Sequence, residues 1–167
     1  LLERDGAPLS SLETDLPLTD FDAICFTLQY ELSYTNVLGM LQLAGLPLRR
    51  TERNEDAPLI IVGGPCAFNP EPLADFFDCA LIGDGEEAIV ELAETIRAAN
   101  KNGLSRSELL NELSCIEGVY VPAYFEIDYK EDGQVAEIKP LKPGYEKVRR
   151  RFLADLETAP FPTEPIV

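Results

Sequence analysis

Three short stretches stand at the ends of apolar runs of strand length, where a parallel sheet holds a ligand. They are Thr27-Leu28-Gln29, which opens the polar run TLQYELSYT, and Gly63-Gly64-Pro65-Cys66 and Gly83-Asp84-Gly85-Glu86-Glu87, which add bare backbone beside polar side chains. In an open parallel sheet ligands sit beyond the carboxyl ends of the strands, where such turns face one crevice. Gly63 and Gly64 let a flat ligand or a second loop approach closely, and Gly83 and Gly85 do the same in front of a predicted helix. That helix N-terminus would attract an anion, but Asp84, Glu86 and Glu87 already supply negative charge there, which disfavours a phosphate. The plainer alternatives are a tight turn at Gly63-Gly64 and a cap at Asp84, with Glu87 three residues on. Tyr30, Glu31, Tyr34 and Asn36 offer polar contacts at the crevice rim, and Glu71, set between Pro70 and Pro72, is placed to bond backbone within its own loop.

Other chemistries are missing from the residue list. There is no histidine, which removes a Ser/His/Asp triad, a His-ligated metal and imidazole acid–base work within this chain. Cys25, Cys66, Cys79 and Cys115 are widely spaced with no CxxC or CxxxCxxC, so a self-contained zinc or iron–sulfur site is not expected and the thiols read as buried and reduced. Neither GxGxxG nor GxxxxGK[ST] occurs.

The elements that must position these turns alternate. An apolar run at 22–29 is followed by a helix through Val37, Leu38, Leu41 and Ala44, with Ser33 as its cap and Gly45 at its end. A polar connection with Arg49, Arg50 and Arg53 leads to a buried strand at 58–62, then a Pro-rich loop with one helical turn, a third strand at 79–82, and a helix with Ala88, Ile89, Leu92 and Ile96 on one face that closes at Gly103. This order predicts a parallel sheet covered on both faces. Ser105 with Glu108 opens a short helix to about 114, and two strands around Asp132-Gly133 form a hairpin. The division expected is residues 1–104 as a partial α/β domain, 105–140 as a helix-plus-hairpin appendage and 141–167 as a linker. In that linker Val148, Phe152, Leu153 and Leu156 have helical spacing, while Pro160, Pro162 and Pro165 force an extended exit.

The 167 residues carry 30 acids and 14 bases, a net charge of −16, which repels nucleic acid and anionic membrane surfaces. The asymmetry is marked: residues 1–100 hold 18 acids and 5 bases, residues 101–167 hold 12 and 9, with six bases between Lys139 and Arg151. With no membrane-length apolar run and no secretory leader, the expected location is cytoplasmic. The start at Leu1 and the proline-rich close read as an excised piece.

The strings FTLQYELSYTNVLGMLQLAGLPL, PLIIVGGPCAFNPEPLADFFDCALIGDGEEAIVEL, GVYVPAYFEIDY and FPTEPIV resemble the B12-binding-domain radical SAM proteins, an Fe–S oxidoreductase family, in the region just before the radical SAM core. The GGPCAFNPEP loop at 63–72 is the most specific of them. The resemblance implies an incomplete flavodoxin-like, cobalamin-binding-like, Rossmann-type parallel sheet with a C-terminal β-hairpin. It matches the SxL element of cobalamin domains to Thr27, Leu28 and Gln29, with Gln29 departing from the usual Leu, the GG element to Gly63 and Gly64, and the closing turn to Gly83, Gly85 and Glu86. It further implies cobalamin as cofactor and, in the parent protein, a [4Fe–4S] cluster and S-adenosylmethionine whose ligands lie outside this chain.

Two functions compete. The first is an accessory cobalamin-binding-like domain of a radical SAM enzyme, not catalytic by itself, whose intramolecular partner is the radical SAM barrel. The second is a cofactor-free scaffold that docks on the barrel, with the Cys66 to Pro72 loop filling the crevice. A flavodoxin-like domain for a flavin or small metabolite is a weaker third, since Ser and Thr are scarce at the strand ends. A sheet lacking neighbours exposes an edge through which the piece would form a homodimer.

Overall fold

The computed structural model describes residues 6–159 and residue 163. Four strands form the main sheet in the order β1 (Ala23–Thr27), β2 (Leu59–Gly63), β3 (Cys79–Leu81) and β4 (Val119–Tyr120). The first three run parallel and β4 is antiparallel to β3. The helices are α1 (Tyr34–Leu43), α2 (Ala88–Asn102) and α3 (Arg106–Leu113), and β5 (Phe125–Tyr129) with β6 (Val135–Pro140) makes a separate antiparallel hairpin. The mixed α/β class, mostly parallel sheet and C-terminal hairpin are as the sequence predicts.

Strand periodicity assigns the two faces. Ile60, Val62, Ala80 and Tyr120 pack with Val37 and Leu41 of α1 and with Ala44 just after it, while Leu59, Ile61, Cys79, Leu81 and Val119 pack with Leu92, Ile96 and Ala99 of α2 and Leu109 and Leu113 of α3. Successive strand residues point to opposite faces, so a nearly unbroken apolar run is what a sheet covered on both sides requires. Gly103 takes the left-handed conformation that ends α2, at φ 66°.

The expected capping arrangement is realised at α3. The Glu108 carboxylate accepts from the Ser105 backbone N–H at 2.8 Å and from its hydroxyl at 2.7 Å, and Ser105 Oγ accepts from the Glu108 N–H at 3.4 Å. These bonds hold the Glu108 carboxyl below its ordinary range. Its contribution is therefore complete above the ordinary carboxylate pKa of about 4.3 and is lost as the pH falls through the lower folded value. Ser105→Ala should cost about 1 kcal/mol, read as a lower urea midpoint at unchanged slope.

Several local expectations are corrected. The Ser33 hydroxyl does not cap α1 but donates to the Tyr30 carbonyl. Asp84 does not cap α2, which begins only at Ala88; its carboxylate accepts from the Leu153 N–H at 2.8 Å. Of the four thiols only Cys79 is fully buried and Cys66 is half-buried; Cys25 is exposed on the edge strand β1, and Cys115 is exposed in the turn after α3. The hairpin begins only at Phe125, since a turn at Pro122–Tyr124 separates it from β4 in the main sheet.

The segment after the hairpin is held by the body. Tyr145 is buried, donating its hydroxyl to the Val119 carbonyl at 2.5 Å and accepting from the Val121 N–H at 3.2 Å. Lys142 Nζ donates to Asn111 Oδ1 and Ser114 Oγ. The helical spacing of 148–156 yields only a short turn at Leu156–Thr158. The extended exit expected at Pro160, Pro162 and Pro165 lies outside the described residues.

Candidate functional site

The carboxyl ends of β1, β2 and β3 meet around an apolar groove of about 270 Å³ on the α2 side of the sheet. Its lining brings together Thr27, Gly63, Gly64, Gly83 and Gly85, five of the eight residues singled out from the sequence, with walls from Cys25, Ile89 and Leu92. Cys25 and Thr27 share one face of β1 because they are two residues apart, and Ile89 and Leu92 come from the first turn and a half of α2. The volume lies at the lower edge of the ~300–1,000 Å³ range of small-molecule sites.

Each glycine has its own reason. Gly64 has φ 89°, and a Cβ there would lie 2.8 Å from Thr27 Cγ2 and 3.1 Å from the Leu28 carbonyl, so this glycine lets the end of β2 pack against the end of β1. Gly83, at φ 114°, would place a Cβ 2.1 Å from the Arg151 carbonyl oxygen and is required by the chain itself. A Cβ at Gly63 would meet only Leu81, at 3.8 and 3.9 Å, and one at Gly85 only Leu81 Cδ2 at 3.6 Å. Gly63 and Gly85 are thus the positions whose missing side chains leave space in the groove rather than room for another segment.

Leu28, Gln29 and Glu86 do not line the groove. Leu28 is 1% exposed and packs in the core beneath α1, while its backbone donates to the Gly63 carbonyl at 2.7 Å and accepts from the Cys66 N–H at 3.0 Å. Gln29 is exposed. Glu86, beside Gly85, keeps one carboxylate oxygen buried without a hydrogen-bond partner among the described residues. The Thr27 hydroxyl likewise has no hydrogen-bond partner among the described residues.

The Pro-rich loop packs on the opposite side of the sheet. It forms two tight turns, Pro65–Phe68 and Glu71–Leu73, which bury Ala67 and Leu73, the latter in the core that holds α1. Glu71 does not bond its own loop, because its carboxylate accepts from the Tyr120 hydroxyl across the fold. Burial, reinforced by that carboxylate, pushes the Tyr120 phenol up. The groove is therefore not filled by residues 66–72.

Sequence reasoning missed Arg151. Its N–H donates to the Ile82 carbonyl at 2.8 Å, its carbonyl accepts from the Asp84 N–H at 3.1 Å, and its guanidinium pairs with Glu87 at 2.9 Å and Glu91 at 2.6 Å. The only trace in the sequence is the pair of glycines, Gly83 and Gly118, that make room for it.

No helix among the described residues is long and apolar enough to cross a membrane. The family described as radical SAM proteins, N-terminal, matches residues 1–122. An uncharacterized protein of Methanocaldococcus jannaschii is 31% identical over 126 residues, 75% of this chain and 22% of its own length. The chain thus spans about a fifth of that relative. No solved structure matches it.

Proposed function

The chain belongs to the family of radical SAM proteins, N-terminal, and on that premise we propose that it is an accessory α/β domain of a radical SAM enzyme, not catalytic by itself, that holds the nucleotide tail of a cobalamin in the strand-end groove. The observation that carries this reading is the convergence of Thr27, Gly63, Gly64, Gly83 and Gly85 on one apolar groove left open by the Pro-rich loop. Thr27 and the backbone of Gly63 and Gly85 would hold the polar edge of such a group, and Ile89 and Leu92 its flat face. A bound cobalamin supplies a redox-active cobalt. This chain supplies shape, apolar contact and exclusion of water.

The [4Fe–4S] cluster and S-adenosylmethionine of the proposed enzyme do not fit the residues here. The four thiols are free, and no three metal-ligating side chains group among the described residues. Both belong, in this reading, to a radical SAM barrel elsewhere in the protein, against which this domain would sit.

The test is anaerobic purification of the complete gene product from cells supplied with cobalamin. About one equivalent of corrinoid absorbance per chain is the expected result; a colourless domain that takes up none on later exposure would overturn the cofactor role. One observation favours the scaffold alternative: Gly64 and Gly83, two of the matched glycines, serve contacts of the chain with itself. A colourless protein whose barrel still assembles on this domain is the outcome that reading expects.

A further inference from the structure

The expected linker contains a segment that behaves as part of the sheet at one point only. Gly83 and Arg151 form an isolated parallel bridge, the single ladder step by which residues 148–153 join the carboxyl end of β3. Leu153 N–H adds its bond to the Asp84 carboxylate, and the Arg150 guanidinium lies 6.0 Å from the Phe68 ring and 5.6 Å from the Phe152 ring. Two glycines are committed to admitting this segment, since a Cβ at Gly118 would stand 2.9 Å from Arg151 Cβ, and one at Gly83 would strike its backbone.

The hold is specific but thin. Phe152 is 68% exposed, and the carboxylates that receive Arg151 are nearly half exposed, at 48% for Glu87 and 42% for Glu91. A segment with one ladder step, partly exposed ion pairs and only Leu153 buried opens locally at a free energy well below that of global unfolding. Gly83 is also a lining residue of the groove, so opening the segment changes a wall of the groove.

We propose that residues 148–153 are a strap, a two-state segment that closes on the end of β3 through Arg151 and couples the direction of the chain beyond it to the groove that Gly83 lines. Closed, the strap fixes the Gly83–Gly85 turn; open, it frees that turn and the chain that follows. Because the coupling is a free energy shared by both ends, whatever fills the groove against a fixed turn favours the closed strap, and a closed strap favours filling. The strap itself stands on its own contacts, whether or not a corrinoid is the ligand.

Amide hydrogen exchange on the full chain tests the strap without any ligand. The Asp84, Arg151 and Leu153 amides should exchange at least about tenfold more slowly than the exposed turn amides of Glu131 and Asp132. In Glu87→Gln/Glu91→Gln these three amides should accelerate several-fold while those of Ile61 and Val62 in β2 stay unchanged, and in Gly83→Ala they should lose protection altogether. Should Gly83→Ala fail to fold, the double variant decides alone. Strap amides as fast as the turn in the unmodified chain, or unaccelerated in the double variant, would overturn the proposal.

Discussion

Asp78→Ala should remove about 3–5 kcal/mol of stability, enough to leave much of the chain unfolded at 37 °C, because it strips the counter-charge from a buried arginine. Asp78 and Arg53 are both buried, at 4% and 7% exposure. One carboxylate oxygen accepts from the Ile60 N–H at 2.7 Å and pairs with Arg53 at 3.2 Å and Arg106 at 2.8 Å. Arg53 spends its remaining donors on the carbonyls of Pro47, Leu48 and Phe76, and Arg106 reaches those of Ala57 and Pro58. The cluster thus ties the connection before β2, the entry to β3 and the start of α3 into one unit at the amino ends of the strands. Burial already pushes the Arg53 guanidinium down, and Asp78 is the charge that opposes this. Urea unfolding of the variant checks the size of the effect. A loss below about 1 kcal/mol would mean that water reaches Arg53.

Gly63→Val should leave the fold intact and weaken hydroxocobalamin binding by at least about tenfold, or 1.4 kcal/mol. Position 63 ends β2 with an ordinary strand conformation, its added Cβ would make only van der Waals contact with Leu81, and β-branched residues suit strands. The two methyl groups would occupy part of the 270 Å³ groove between the ends of β1 and β2. An unchanged urea midpoint combined with lost binding places the ligand in the groove. Unchanged binding would place it elsewhere.

What the sequence revealed depended on how local the cause was. The buried strand at 59–63, the α2 stripe of Ala88, Leu92 and Ile96, the glycine that ends α2 and the Ser105–Glu108 box each follow from residues within a few positions of one another, and all were legible. The groove was legible as three strand ends, two of them bearing glycines, because a parallel sheet gathers its carboxyl ends on one side. Its walls were not: Cys25 read as a buried hydrophobe, and Ile89 as core, although it is 44% exposed. The longest-range facts were invisible. Asp84 read as a helix cap because its partner, Leu153, lies 69 residues away, and Glu71 read as a loop acceptor because Tyr120 is 49 residues away. Arg151 belonged to the basic run between Lys139 and Arg151, and its contacts with Gly83, Glu87 and Glu91, 60 or more residues away, show why one of those bases is fixed.

The most direct test of the central claim is an ultraviolet–visible titration of hydroxocobalamin into the complete, cluster-reconstituted protein under anaerobic conditions. The account predicts a saturable spectral shift at about one equivalent. No shift at any concentration would contradict it, leaving the groove without a corrinoid and the domain as a scaffold.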